Sequence, residues 1–302
     1  MKVKYVLGVI LIISVIFSIV ILFFAPASDN VQKPFYLFSF NGGSKNHLNE
    51  PTFALSAANG KIFVSDSGNH RIAVFNERGK FLYEIGGTAS KKTLSYPYGL
   101  GVLGGERLII ADTMARAIYE FKFNGEYVRN WLADTTNIEP AGVFVTSNQL
   151  VYVTDLGGKK ILVFSKQGKL IKTVISKSIT LSSPQGISVN DDGTFWVADG
   201  GNYNVKLIQP DGELKFLFDG GPDWPLSSIK GLAVDKEQRI YVADTLSNTV
   251  RVFDQKGNNL ASLSSGKTGQ KMQFPVGISV DSKGRIYTAD QGNNQIQVWT
   301  WK

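Results

Sequence analysis

One set of six aspartates, two histidines and no cysteine bound the chemistry open to this 302-residue chain. Asp66, Asp112, Asp155, Asp199, Asp244 and Asp290 each end an apolar-apolar-small-Asp pattern, as in Phe63-Val64-Ser65-Asp66 and Tyr241-Val242-Ala243-Asp244. A carboxylate can serve as general acid, general base or metal ligand. A catalytic group is needed in one place, however, and these six recur at intervals of 46, 43, 44, 45 and 46 residues. Such recurrence at a turn points to a structural role, with each carboxylate accepting backbone N–H bonds. Asn69, Asn202 and Asn293, each three residues after its aspartate, read the same way. The missing cysteines exclude disulfides, thiolate nucleophiles, iron–sulfur clusters and Cys-ligated zinc. With only His47 and His70, a three-histidine metal site cannot be assembled, and a Ser-His-Asp arrangement has to use one of those two.

The elements that position these residues follow from the period. Fifteen residues before each aspartate stands Pro51, Pro97, Pro140, Pro184, Ile229 or Pro275. Two residues after that position comes Gly99, Gly142, Gly186, Gly231 or Gly277, with Phe53 as the exception in the first repeat. Nine residues after each aspartate sits Phe75, Phe121, Phe164, Ile208, Phe253 or Trp299. Each repeat reads as four short strands. Asn59-Gly60, Gly104-Gly105 and Asp192-Gly193 supply hairpin chemistry after the first strand, and Asn124-Gly125 and Asp211-Gly212 after the third. The second strand is continuously apolar, which fits a strand covered on both faces. Four-stranded units at a period of about 45 residues, without helical stretches, predict an all-β, six-bladed β-propeller.

The sixth repeat ends at Lys302, after its third strand. Its fourth is found upstream: Phe35-Tyr36-Leu37-Phe38-Ser39-Phe40-Asn41-Gly42-Gly43 reads like Lys80-Phe81-Leu82-Tyr83-Glu84-Ile85-Gly86-Gly87. Residues 35–302 are therefore expected to form one closed ring, which removes the exposed edge of an open one.

Ahead of the ring, Lys2 and Lys4 precede an uncharged run from Tyr5 to Ser28. A helix over that run is ~36 Å long, enough to cross a ~30 Å hydrocarbon core. The expectation is a cytoplasmic N-terminus at 1–4, a transmembrane signal anchor at 5–25, a linker at 26–34 and an extracytoplasmic propeller at the cell membrane. Ala25-Pro26-Ala27 resembles a small-x-small cleavage pattern, but the apolar run is longer than a cleavable signal core of ~7–15 residues. No cysteine follows the run, which excludes a lipoprotein anchor.

The block Ile62-Phe63-Val64-Ser65-Asp66-Ser67-Gly68-Asn69-His70-Arg71-Ile72-Ala73-Val74-Phe75 resembles the NHL repeat almost letter for letter. Looser copies start at Asp199 and Asp290. The layout is similar to that of membrane-anchored bacterial NHL-like propellers, and the resemblance implies a non-catalytic binding or sensor domain. Related six-bladed propellers include lyases with histidine-bound zinc and lactonase-like hydrolases that hold a divalent cation with carboxylate and Asn. NHL domains of some eukaryotic regulators bind RNA or protein. The lyase site fails on histidine count. A lactonase-type cation needs carboxylates where the inner strands enter the channel, and the residues after the proline position are Thr52, Tyr98, Ala141, Gln185, Lys230 and Val276, none acidic. Glu50 and Glu139 lie nearby, and with His47 they define the alternative, a metal-assisted hydrolase or lyase at the propeller mouth. No metal or cofactor is expected.

What the mouth offers instead is a mixed aromatic and polar surface. Tyr98, Gln185 and Lys230 come from three blades, and Tyr96, Arg116, Tyr203, Asp223, Trp224 and His47 belong to loops expected on the same face. Such a set suits a protein, peptide or small envelope ligand. His70 and Arg71 read as repeat consensus. Blade three is locally basic, with Lys159, Lys160, Lys166, Lys169, Lys172 and Lys177 in a stretch whose only acid is Asp155. That stretch is either a solvated outer strand or a patch for an anionic surface. The stacking aromatics of single-strand RNA readers are not visible as a set, so nucleic acid is not the expected partner.

Overall fold

The computed structural model describes residues 32–87, 90–132, 138–175, 180–266 and 269–302, together with the backbone of Tyr5–Val9 and Leu22–Pro26. The chain divides into two units, Met1–Lys33 and Pro34–Lys302. In the first, Tyr5–Val9 and Leu22–Pro26 pair antiparallel, Tyr5 opposite Pro26. This differs from the helix expected over 5–25, most of which lies outside the described residues. An apolar run rich in Val and Phe satisfies a strand as readily as a helix, and hydrophobicity alone does not separate them. Among the described residues no helix is long and apolar enough to cross a membrane.

The second unit is six four-stranded antiparallel sheets. The inner strands of blades 1 to 6 are Pro51–Ser56, Pro97–Leu103, Pro140–Val145, Pro184–Val189, Ile229–Val234 and Pro275–Val280. Blade 5 shows the internal order, running Ile229–Val234, Ile240–Asp244, Thr249–Phe253, Asn259–Leu263 from channel to rim. Its second strand is buried along its whole length, as the continuous apolar run required. The ring closes through residues far apart in sequence. Gln295–Trp301, the third strand of blade 6, pairs with Pro34–Phe40, Ile296 opposite Phe40 and Trp301 opposite Pro34. Tyr36 meets Trp299 edge-on at 5.3 Å across that seam.

The core is six clusters rather than one, each lying between adjacent blades. Ala54, Ile62, Val64 and Phe75 of blade 1, for example, pack with Tyr287, Ala289, Ile296 and Val298 of blade 6. Each fully buried Val, Leu, Ile or Phe contributes about 1.5–3 kcal/mol, so every blade depends on both neighbours. The Pro-x-Gly glycines have a definite cause. A Cβ on Gly142 would lie 2.0 Å from the Gln185 carbonyl oxygen, and one on Gly231 2.1 Å from that of Val276. At this level around the channel one blade's backbone abuts the next, and only glycine fits. Phe53 breaks the pattern and lines the channel.

Candidate functional site: the aspartate-turn face

Because Pro51 pairs with Asp66, Pro97 with Asp112 and so on around the ring, the starts of the inner strands and the turns after the aspartates share one face. All six aspartates are fully buried there. Each accepts backbone N–H bonds from the loop that enters its own blade: Asp66 from Asn49 (2.7 Å), Asp112 from Ser95 and Tyr96 (2.7 and 2.8 Å), Asp155 from Glu139 (3.0 Å). Asp199 takes Ser182 and Ser183 (both 2.9 Å), Asp244 takes Ser227 and Ser228 (both 3.3 Å), and Asp290 takes Gln273 (2.7 Å). Asn69, Asn202 and Asn293 each bridge their aspartate to a carbonyl of that loop. Asp112 and Asp155 also accept from the N–H three residues on, in Ala115 and Gly158. Burial pushes the Asp199 carboxyl up, but Lys206 Nζ at 2.6 Å and the two backbone donors outweigh it and hold the group below its ordinary range.

A second sixfold feature sits four residues beyond each aspartate. His70, Arg116, Lys159, Tyr203, Asn248 and Asn294 all adopt left-handed backbone, with φ between 51° and 55°. This conformation costs a non-glycine residue about 1–2 kcal/mol and suits Asn best. In four places the side chain reaches the loop entering the next blade. Asn248 Oδ1 accepts from Phe274 N–H, Asn294 Oδ1 from Glu50 N–H (both 2.8 Å), Arg116 pairs with Glu139 at 3.1 Å, and His70 bonds the Ser95 carbonyl. Lys159 and Tyr203 make no such bond and are exposed. A hydroxyl just after three of the aspartates adds a parallel latch: Ser67, Thr113 and Thr245 donate to the carbonyls of Pro97, Pro140 and Pro275 at 2.5, 2.7 and 2.8 Å.

Of the six residues after the proline position, Tyr98, Gln185, Lys230 and Val276 line the narrow end of the channel. Tyr98 Oη donates to Gln185 Oε1 at 2.7 Å. Burial, and next the neighbouring Tyr96, push the Tyr98 hydroxyl well up. Thr52 and Val276 are buried, as is Ala141. Lys230 lines the same opening, and burial pushes its ammonium down. Above it, loops of blades 4 to 6 expose four large apolar side chains: Tyr203, Trp224, Leu246 and Phe274 are 54%, 64%, 63% and 47% exposed. Met114 on blade 2 is 70% exposed. Leu246, Met114 and Phe274 escaped the sequence reading. The first two carried a signal, since they stand two residues after their aspartates, where the other repeats have Gly68, Gly157, Gly201 and Gly292.

Other candidates are dispersed. His47 lies on the outer rim, bonded to the Leu48 carbonyl (2.7 Å), beside Asn46, Asn69 and Arg71. Arg71 itself pairs with Asp66 and Glu84 at 2.7 and 2.8 Å. Glu139 is taken by Arg116 and Glu50 is exposed. Among the described residues no three His, Asp or Glu side chains gather into a group able to hold a metal ion. Asp223 is exposed beside Trp224. The basic stretch of blade 3 is divided by the length of its strands. Lys159 and Lys160 stand on the aspartate-turn face, Lys160 3.6 Å from Asp155, whereas Lys166 and Lys169 belong to the hairpin at the other end of Lys160–Phe164. Lys172 bonds the Pro210 carbonyl of blade 4, and Lys177 lies outside the described residues. At the far end of the channel, a cavity of about 200 Å³ is lined chiefly by Leu55, Leu100, Val102, Phe144, Val234 and Val280.

The NHL repeat family matches residues 48–75, 181–206 and 272–299. The human E3 ubiquitin-protein ligase TRIM32 is 23% identical over 280 residues, 80% of this chain and 41% of that protein. Protein brain tumor of Drosophila melanogaster is 26% identical over 145 residues, 46% of this chain and 14% of that one. The human NHL repeat-containing protein 3 is 30% identical over 158 residues, 46% of this chain and 45% of that one. The chain thus matches less than half the length of each of these relatives. Among solved structures, virginiamycin B lyase from Staphylococcus aureus superimposes with a TM-score of 0.62 at 14% identity, over 85% of this chain and 82% of that one. At that identity the likeness is one of fold alone. The chain carries three NHL repeats, in blades 1, 4 and 6 of an all-β six-bladed propeller.

Proposed function

We propose that the chain is a non-catalytic scaffold that docks a protein or peptide partner on its aspartate-turn face. The observation that carries this reading is the row of exposed Tyr203, Trp224, Leu246 and Phe274 over three consecutive blades, on turns locked by buried aspartates. Exposed Trp and Tyr on rigid backbone are characteristic of binding hot spots, and apolar side chains grouped at a surface mark an interaction site. The match to an E3 ubiquitin-protein ligase, an enzyme class that engages other proteins, agrees with it. Lys2 and Lys4 ahead of the apolar run support the further reading that the ring works on the extracytoplasmic side of a membrane, held there by its N-terminal segment.

A photo-crosslinking side chain placed at position 224 or 246 of the full chain tests the face, with positions 82 and 171 on outer strands as controls. The expected result is one discrete crosslinked species from the first pair and none from the second. Crosslinks from the outer strands alone overturn the assignment. For the topology, protease added to intact cells should cut the propeller, and its protection would reverse the orientation.

A further inference from the structure

Lys230 is the second residue of the blade 5 inner strand, at the same repeat position as Thr52, Tyr98 and Gln185, and lines the channel opening with the last two. The hydroxyls of its neighbours are engaged. Thr52 Oγ1 bonds the Pro97 carbonyl at 3.0 Å, and Tyr98 donates to Gln185. Lys230 has no hydrogen-bond or ion-pair partner among the described residues, and the wall of this opening contains no Asp or Glu. Burial lowers its pKa, and no acidic neighbour offsets that.

Elsewhere the most buried cations of the ring are matched to carboxylates. Lys206 is matched to Asp199 at 2.6 Å, Arg71 to Asp66 at 2.7 Å and Arg251 to Asp244 at 3.2 Å. A half-buried ammonium without a counter-charge is costly, and an anion that comes to it recovers that cost as binding energy. The opening also fixes the kind of anion. The bond from Tyr98 orients the Gln185 amide so that its Nε2, with only a 3.4 Å contact to Ser183 Oγ, remains a second donor. An ammonium without a counter-charge beside an amide N–H suits a negatively charged acceptor, as a carboxylate is. The free space is small, about 30 Å³ against about 200 Å³ at the far end of the channel, so a terminal group enters rather than a ring.

We infer that Lys230 receives the side-chain carboxylate of a Glu or Asp from a peptide segment laid across the mouth. This rests on the docking face proposed above and names the chemistry its partner must bring.

The test uses the full chain and blocked alanine pentapeptides carrying a central glutamate, a central glutamine, or the glutamine with a free C-terminal carboxylate; inorganic phosphate is a fourth probe. Binding is measured by titration calorimetry for parent and variant, and in the parent the 13Cε resonance of Lys230 reports contact at that residue. The glutamate peptide is expected to shift it and the glutamine peptide to leave it unmoved. Lys230→Met should weaken binding about tenfold or more while melting no lower than the parent, since an unpaired buried charge is removed. Equal response to glutamate and glutamine, undiminished binding by Lys230→Met, or a lower melting temperature for that variant overturns the inference. Tighter binding of the free C-terminus or of phosphate overturns the side-chain carboxylate. Crosslinking from position 224 that persists when the glutamate peptide fails leaves the docking face standing and removes only this inference.

Discussion

The hydroxyl of Tyr98 on blade 2 donates to Oε1 of Gln185 on blade 4, at 2.7 Å. The bond skips blade 3, which offers only Ala141 at the equivalent place and Gly142 beside it. Two blades 87 residues apart in sequence are thereby tied at the narrow end of the channel, next to Lys230.

Tyr98→Phe should cost about 1 kcal/mol, the net value of one hydrogen bond plus part of the desolvation of Gln185. Urea unfolding reads it as a lower midpoint at unchanged slope. Gln185→Leu in the Tyr98→Phe background should cost less than Gln185→Leu alone, because the two groups share one interaction. Additive losses would show that the bond contributes nothing.

Asp199 sets an acid limit on stability. Its folded pKa lies below the unfolded value of about 3.9, so its contribution is complete above that value and is lost as pH falls through the folded pKa. Melting temperature followed from neutral pH downward should fall off below about pH 4. Asp199→Asn should lose about 3–5 kcal/mol at neutral pH, because it strands the Lys206 ammonium. Pairing it with Lys206→Met should recover much of that loss.

Gly231→Ala should destabilise by about 1–3 kcal/mol or more through overpacking, since its Cβ would sit 2.1 Å from the Val276 oxygen and backbone cannot step aside cheaply. A melting temperature within a degree of the parent would refute the close approach of blades 5 and 6.

Trp224→Ala and Leu246→Ala should leave stability within about ±0.5 kcal/mol, as for other exposed side chains. Partner affinity should fall by more than about 1 kcal/mol for each. Ile171→Ala on the outer strand of blade 3 should change neither quantity.

Deleting residues 34–40 should break the ring. Gln295–Trp301 would lose its pairing strand, and Trp299 its edge contact with Tyr36. Unfolding monitored by tryptophan fluorescence should then lose its single sharp transition.

The frame of this fold was legible because its causes are local and repeated. The continuously apolar second strands, the hairpin glycines and the Pro-x-Gly starts each recur at one spacing, and the Phe35–Gly43 segment matched the outer strands closely enough to locate the closure. The candidate site was less legible. Tyr98, Gln185 and Lys230 could be placed at one level from their shared repeat position, but which of them pair depends on side-chain reach across the channel. His70, Arg116 and Tyr203 read as separate residues of unlike chemistry, yet they share one left-handed turn position, a backbone property that residue types do not display. The basic stretch of blade 3 is continuous only along the chain. A five-residue strand carries its two ends ~17 Å apart, and Lys159 and Lys166 fall on opposite faces.

By itself, the sequence determined the number of blades, the four-strand plan of each and the absence of thiol or three-histidine chemistry. These follow from period, polarity and residue inventory, all of which are properties of the linear chain. Only the tertiary structure decided that the aspartates bind the loops entering their blades, that Tyr203, Trp224, Leu246 and Phe274 form one exposed row, and that Lys230 stands without a counter-charge. Each of those depends on distances between blades, and closure of the ring sets those distances.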